Sequence, residues 1–251
     1  MSPVRHFSLI LLMLIYVTAC KQNAVNDPVY IVNQSIKAHN LDALMNAEVS
    51  FAFRDRRYTA TRTDDSYTYT RTWQENDTSV IADKLVNSQD FSRIVNGQQV
   101  TVADSMAVKY ASSINSVLYF FQLPYLLRDP AANLIYEGEE VIKTEPYHVI
   151  QVTFDQAGGG EDFEDEFRYW FHQDSYLMDY LAYNYHSDGG GVRFRKAFNR
   201  GNAGEIITQD YINYEVPVGT PLREIPRIYM KNDLKELSRI VNQDIRIEVV
   251  D

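Results

Sequence analysis

The residues with the clearest chemical potential are two carboxylates and two arginines in neighbouring segments of alternating sequence. They are Asp165, Asp179, Arg193 and Arg195. If neighbouring strands bring them together, the carboxylates could exchange protons with a substrate. Arg193 and Arg195 are two residues apart, so in a strand they share a face and could grip a carboxylate or phosphate group. The same pattern also fits a cross-strand ladder of ion pairs on a solvated face, and the sequence favours this second interpretation.

Aromatic side chains alternate along the segment that contains Asp165, and Trp170 falls on the opposite face. Such a face fits a cleft for a hydrophobic or acylated ligand, because small-molecule pockets are mostly apolar with few polar groups. A core packed beneath helices has the same pattern, so both interpretations stay open. The candidate ligand-binding set joins these aromatics to one on the next predicted strand and to the two arginines: Phe163, Phe167, Tyr169, Phe171, Tyr180, Arg193 and Arg195.

The motifs of common enzyme and metal sites are absent from the sequence. It contains no GxSxG elbow, P-loop, dinucleotide fingerprint or HExxH pair. The acidic run Glu161–Glu166 matches neither an EF-hand loop nor a repeated Gly-rich calcium turn, which favours a solvated loop and strand end. The four histidines outside the N-terminal segment are isolated from one another: His39, His148, His172 and His186. We therefore predict neither a metal nor a cofactor, and a protein that binds without catalysing a reaction.

The one cysteine, Cys20, directly follows an apolar segment, Phe7–Val17. That segment is too short to span a bilayer, which takes about 20 apolar residues, and its flanks are typical of a secretory signal. Val17–Cys20 resembles a bacterial lipobox, which implies acylation of Cys20; an ordinary signal with an incidental cysteine is the alternative. Residues 1–19 are therefore predicted as a lipoprotein signal peptide, and 20–27 as a lipidated tether to the bilayer.

Composition restricts the partners. The net charge is −10, whereas non-specific binding to nucleic acid needs a basic surface. An anionic membrane surface would also repel the chain, so membrane association has to come from the acyl anchor. With 45% hydrophobic residues, the remaining chain can form a substantial core.

Residues 28–251 are predicted to form one domain of mainly β-structure. Asp27 and Pro28 are typical of a helix start, and Asn96-Gly97 of a tight hairpin. A helix of about 18 residues is predicted from a cap at Asp104 to a stop before Pro124. Ten or eleven antiparallel strands should then form one curved meander, a half-open barrel covered by the helices. The tail 233–250 fits either a helix or a strand.

Several phrases together resemble an uncharacterised family of Bacteroidota envelope lipoproteins with a LolA/LppX-like fold. The phrases are FAFRDRRY (51–58), SINSVLYFFQLPY (113–125), FRYWF (167–171), MDYLAY (178–183), VRFRKAFN (192–199) and QDYINY (209–214). This resemblance spans most of residues 29–247 and implies a half-barrel with an apolar cleft that holds acyl chains.

The sequence thus predicts a lipid-anchored protein of the bacterial envelope, on the periplasmic face of the outer membrane, that binds a hydrophobic or acylated ligand. Two alternatives remain. One is a hydrolase of envelope glycans or esters that uses carboxylates of the sheet. The other is a scaffold that docks another protein.

Overall fold

Two antiparallel sheets with a few helices make up most of the structure. The computed structural model describes residues 26–63, 66–156, 163–186 and 189–250. The predicted signal peptide, Cys20 and most of the tether lie outside the described residues. Mainly antiparallel β-structure covered by helices confirms the predicted fold class.

The described residues form three α-helices, three short 3₁₀ turns and fourteen strands. The helices are α1 (Pro28–Ala38), α2 (Asp104–Phe121) and α3 (Ile225–Met230), and the turns are Leu41–Leu44, Tyr125–Arg128 and Leu222–Glu224. The first strands are β1 (Ala47–Phe53), β2 (Arg56–Arg62), β3 (Tyr67–Asn76), β4 (Ser79–Val86), β5 (Asp90–Val95) and β6 (Gln98–Val100). The others are β7 (Ala132–Ile142), β8 (Glu145–Phe154), β9 (Phe167–His172), β10 (Met178–Tyr185), β11 (Gly191–Ala203), β12 (Ile206–Val216), β13 (Lys235–Ile240) and β14 (Gln243–Val249).

The strands are arranged in two sheets rather than in the one curved sheet predicted. The first sheet has the order β14-β1-β2-β3-β4-β5-β6, and the second has the order β13-β12-β11-β10-β9-β8-β7. The C-terminal tail contributes one strand to each sheet, because β13 pairs with β12 of the second sheet whereas β14 pairs with β1 of the first. Helix α2 connects the two sheets, and no helix of the described residues has the length and apolar character needed to cross a membrane.

Local sequence signals set several boundaries. Asp27 accepts a hydrogen bond from the Val29 amide at 3.0 Å and caps α1 as predicted. Asn96 and Gly97 have φ of 50° and 81°, the left-handed conformation that a two-residue hairpin requires. Helix α2 has the predicted length, but Asp104 is its first helical residue and makes no capping hydrogen bond. Its carboxylate still lies at the favourable end of the helix dipole.

Apolar residues form two cores on opposite sides of the second sheet. The first core lies between the inner faces of both sheets and beneath α1 and α2, and includes Phe51, Leu118 and Tyr169. The second core covers the outer face of the second sheet and is completed by Ile225 and Tyr229 of α3. We call the strand face turned to the first core the inner face, and the face turned to the second core the outer face.

A buried histidine ties the end of α1 to the second sheet. The Nδ1–H of His39 donates to the Ile207 carbonyl at 3.3 Å, and its Nε2 accepts from the Met178 amide at 3.2 Å. Both ring nitrogens are therefore used by the neutral imidazole, and a proton on Nε2 would face an N–H group. Burial lowers the pKa of His39 from 6.5 to about 4.

Protonation of His39 should make the folded protein less stable in mild acid. Its folded-state pKa is depressed, so the unfolded chain binds the proton more readily, and stability is lost as pH falls from 6.5 towards 4. The loss should reach roughly 3 kcal/mol, and His39→Gln should remove most of this slope. Urea unfolding of both proteins between pH 7 and pH 4.5 measures it. Equal slopes in the two proteins would contradict this role.

Candidate functional site

Three of the predicted ligand-binding aromatics lie together beneath α2. Phe167, Tyr169 and Phe171 are on the inner face of β9, as the alternation predicts, and each is buried. Tyr119 of α2 lies directly above them, and its hydroxyl is 3.1 Å from that of Tyr169. The neighbouring Phe120 ring is 6.4 Å from the Phe167 ring. In this structure the inner face is therefore a filled aromatic core with α2 as its cover.

Two other predicted aromatics lie elsewhere. The placement of Tyr180 with the Phe167 face is wrong: Tyr180 belongs to the second core, on the outer face beside Trp170. The pairing of β9 with β10 shifts register between Met178 and Tyr180, so Asp179 is an extra residue that reverses the alternation. Phe163 lies half-buried in the turn before β9 rather than in the strand.

Arg195 lies inside this aromatic region. It is on the inner face of β11, and 8% of its surface is exposed. Its guanidinium carbon is 3.7 Å from the ring centre of Phe120, and one Nη donates to the Tyr183 hydroxyl at 2.7 Å. Its Nε–H is buried without a hydrogen-bond acceptor. Arg195 is thus a cation held between the cover helix and the sheet.

The charge of Arg195 is not neutralised within the described parts of the chain. Only one other arginine there is buried, Arg71, and it pairs with the carboxylate of Asp83 at 2.7 Å. Arg195 has no carboxylate within ion-pair distance among the described residues. Burial raises the pKa of Tyr169, and that of Tyr211 to about 12, so these nearby hydroxyls stay neutral. A buried guanidinium without a counter-ion is costly, which marks this position as a candidate anion site.

Two neighbours extend this polar patch. Asn213 is paired with Arg195 across β11 and β12, and its Oδ1 is buried without a hydrogen bond. Arg193 shares the inner face with Arg195, as predicted, and donates to the Tyr185 hydroxyl at 2.7 Å. The ion-pair ladder favoured from the sequence is therefore replaced by arginine–tyrosine pairs. A head group at Arg195 would find a second cation one step along the strand.

Helix α2 is attached firmly at its C-terminal end and more loosely at its N-terminal end. Gln122, which follows the helix, is buried, and its Nε2 donates to the Tyr69 hydroxyl at 3.0 Å. The fully buried residues of the helix, Ile114 and Leu118, also lie in its second half. Its first half exposes Met106 and Val108. The C-terminal half of α2 therefore makes most of its buried contacts, and the N-terminal half is the part that is more readily displaced.

A charged cluster of the first sheet contacts the middle of α2. Asp83 is fully buried and accepts from Arg71 at 2.7 Å and from the Nε of Arg93 at 2.6 Å. Arg71 also donates to the Ser113 hydroxyl of α2 at 2.9 Å, and Arg93 lies 3.9 Å from the ring centre of Tyr110. These contacts to the helix are polar, so water can replace them when the helix moves.

The proposed acid–base group does not assemble. Asp179 bonds to Arg200 and to the Tyr147 hydroxyl near the start of β10. Asp165 contacts His186 at 3.2 Å beyond the other end of that strand. At about 3.3 Å per residue, the length of β10 separates the two carboxylates. No three His, Cys, Asp or Glu side chains of the described residues are grouped as metal ligands.

The comparison with protein families identifies the chain. Residues 5–242 match the model of a family of unknown function, DUF6503. The chain belongs to this family. No protein of curated function matches the DUF6503 sequence.

Solved structures resemble the DUF6503 protein in fold. A DUF1329 family protein from Desulfovibrio piger is 12% identical, covers 89% of this chain and 94% of its own, and has a TM-score of 0.51. Two likenesses are looser. A LolA superfamily protein from Nitrosomonas europaea has a TM-score of 0.43 at 12% identity, over 86% of this chain and 94% of its own. A domain named for outer membrane lipoprotein sorting, from Vibrio parahaemolyticus, has 0.38 at 6% identity, over 80% and 99%.

The sequence did not indicate which α2 residue meets Arg195. The helical spacing of apolar residues predicts that Phe121 faces the core. The ring in contact with the Arg195 guanidinium, however, belongs to Phe120. Tyr119, Phe120 and Phe121 are consecutive, so aromatic rings surround this end of α2. In the DUF6503 protein, three consecutive aromatic residues thus indicate that both sheets contact this end of the helix.

Removal of the Asp83 charge should strongly destabilise the protein. Asp83→Asn keeps the side-chain shape but leaves Arg71 and Arg93 without their shared partner, which should cost about 3–5 kcal/mol of unfolding free energy. Asp55→Asn is the control, because its side chain is 75% exposed and should cost less than about 0.5 kcal/mol. Thermal and urea unfolding compare the two variants. A loss at Asp83 as small as that at Asp55 would show that the cluster contributes little.

Proposed function

We propose that this protein binds an amphiphile whose acyl chain lies between α2 and the inner faces of the sheets, and whose acidic head group contacts Arg195. In this proposal α2 moves away from the sheets, and the acyl chain takes the place of its buried side chains, Ile114, Leu118 and Phe120, over the aromatic face. The protein acts while anchored to the bacterial envelope through lipid on Cys20. It binds its ligand and carries out no reaction on it.

The unpaired guanidinium of Arg195 carries the proposal. A side chain that only filled the core would be apolar, because a buried charge without a partner destabilises the fold. An anionic head group would supply the missing charge and accept from the free Nε–H. The aromatic rings around it offer the apolar surface that an acyl chain needs. This combination matches a fatty acid or a lipid with an acidic head group.

The energies of cover and ligand are comparable. Exposure of Ile114, Leu118 and Phe120 should cost about 2–3 kcal/mol each, or roughly 8 kcal/mol together. A palmitoyl chain has about fourteen methylene groups at about 0.8 kcal/mol each, or roughly 11 kcal/mol when fully buried. Burial of the acyl chain can therefore compensate for the lost helix contacts, and the new ion pair with Arg195 stabilises the complex further. A much shorter acid would not offset the cost of the movement.

The proposed location rests on the N-terminal sequence. The apolar segment before Cys20 and the match of Val17–Cys20 to a lipobox support lipidation. The short polar segment before Asp27 would keep the domain within about 25 Å of the bilayer. Acyl chains of the membrane would then be within reach. We place the protein on the periplasmic face of the outer membrane.

Binding should discriminate between charged and neutral ligands. In a Cys20→Ser background, which has no acyl group of its own, palmitate should bind about 10- to 100-fold more tightly than methyl palmitate. The reason is that a hydrogen bond to a charged group contributes about 1.5–3 kcal/mol. Arg195→Met should abolish this preference and leave the empty protein at least as thermally stable. Displacement of a fluorescent fatty acid and thermal unfolding measure the two effects.

The matched control for this experiment is Lys196→Met. Lys196 is the next residue of β11 and lies on the outer face, opposite Tyr180. The Lys196→Met substitution removes one positive charge from the same strand, as Arg195→Met does, and should leave the preference for palmitate intact. Equal binding of palmitate and methyl palmitate by the protein with Arg195 in place would contradict the proposed head-group site.

Lipidation of Cys20 should determine where the protein is found. The wild-type protein should sediment with membranes. The Cys20→Ser variant should move to the soluble envelope fraction, because the acidic domain has no other strong attraction to lipid. Fractionation with detection by antibody measures this. A Cys20→Ser protein that still sediments with the outer membrane would refute the anchor.

A further inference from the structure

A cavity of about 590 Å³ opens on the outer face of the second sheet, on the side away from α2. Its floor is formed by side chains of β7, β8, β9 and β10, and its wall is the loop after β12, which includes Val218, Pro221 and Leu222. Small-molecule sites have volumes of roughly 300–1,000 Å³. Arg195 is not among the described residues of the lining, and of the inner-face patch only Tyr185, the partner of Arg193, reaches the edge of the cavity. The inference below does not rest on the function proposed above.

A β-bulge aims one carboxylate at the floor. The pairing of β7 with β8 shifts register between Tyr136 and Gly138, which makes Glu137 an extra residue of β7. Gly138 has φ of 109°, a conformation that favours glycine. The Glu137 carboxylate consequently lies 2.7 Å from the Nε of Arg168, a floor residue of β9. Bulges of this kind commonly redirect a side chain towards a site.

The floor retains unused hydrogen-bonding capacity. Gln151 donates from Nε2 to the Glu166 carboxylate at 2.8 Å, and the Glu166 amide donates to Oδ1 of Asn184 at 2.7 Å. The buried Nε of Arg168 lies against the Glu137 carboxylate at 2.7 Å, so the Nη groups are the donors that Arg168 can offer to a ligand. Amide, carboxylate and guanidinium groups thus present donors and acceptors side by side.

Charge in the lining is balanced. Among the described residues of the lining, two carboxylates, Glu137 and Glu166, accompany two guanidiniums, Arg168 and Arg223. A strongly charged ligand therefore gains little from the lining as a whole. A neutral molecule with several hydroxyl groups fits better, because each hydroxyl both donates and accepts. The apolar wall at Val218, Pro221 and Leu222 can cover the C–H face of such a molecule.

We infer that this outer cavity binds a neutral saccharide of one or two units. Glu137, Glu166, Arg168 and Asn184 supply the hydrogen bonds, and the 218–223 loop packs against the sugar ring.

The test uses the full-length protein in a detergent without a sugar head group, with N,N′-diacetylchitobiose and maltose as neutral probes. Glucosamine and glucuronate are the charged counterparts. Saturation-transfer NMR should detect at least one neutral disaccharide at about 10 mM or below, and neither charged sugar should bind more tightly. Glu166→Gln and Arg168→Met should each weaken that binding by about tenfold or more, the effect of a lost hydrogen bond to a charged group.

Two controls make the outcome decisive. Glu139→Gln changes an exposed carboxylate of β7 outside the lining, and Arg195→Met changes only the inner face, so both should bind the sugar as the unmodified protein does. If a floor variant fails to fold, Val218→Trp replaces it, because Val218 is 81% exposed and a larger ring there fills the opening. The inference is overturned if neither neutral disaccharide binds, if a charged sugar is preferred, or if these variants leave binding unchanged.

Discussion

Because helices and loops cover both faces of the second sheet, its central strands must be apolar at consecutive positions rather than at alternate ones. Trp170 and Phe171 illustrate this, since one packs in the second core and the other in the first. In an antiparallel sheet with one solvated face, polar side chains alternate with apolar ones at no cost. A polar side chain on the central strands can therefore be enclosed, as Arg195 is with 8% of its surface exposed. It requires a partner, or it marks a place where a ligand provides one.

Arg195 is the buried charged residue of the second sheet to which this constraint applies most strongly. The cluster around Asp83 in the first sheet shows how the same protein accommodates another buried arginine, because Arg71 has a carboxylate 2.7 Å away. Arg195 instead has a tyrosine hydroxyl and an aromatic ring. The difference between two buried arginines in one protein is the physical basis of the proposed head-group site. It also predicts a protein that is less stable empty than it could be.

Local sequence patterns predicted the fold class and several elements, and they failed where distant residues decide the structure. The aromatic alternation placed Phe167, Tyr169 and Phe171 correctly, because β9 pairs without a bulge until its end. Tyr180 was misplaced since one extra residue, Asp179, reverses the faces of β10. β7 was not predicted at all, because its glycine and acidic residues hide the alternation. The contact of Phe120 with Arg195 joins positions 75 residues apart, which no local pattern contains.

The central claim is that the buried charge of Arg195 exists for an acidic amphiphile. Native mass spectrometry of the protein extracted gently from the cells that produce it tests this claim most directly. The account predicts a bound mass in addition to the protein and the lipid proposed on Cys20, identifiable after release as an acidic acyl compound and absent from Arg195→Met. A protein that is purified without any such ligand, or whose bound lipid is neutral and unaffected by that substitution, would contradict it.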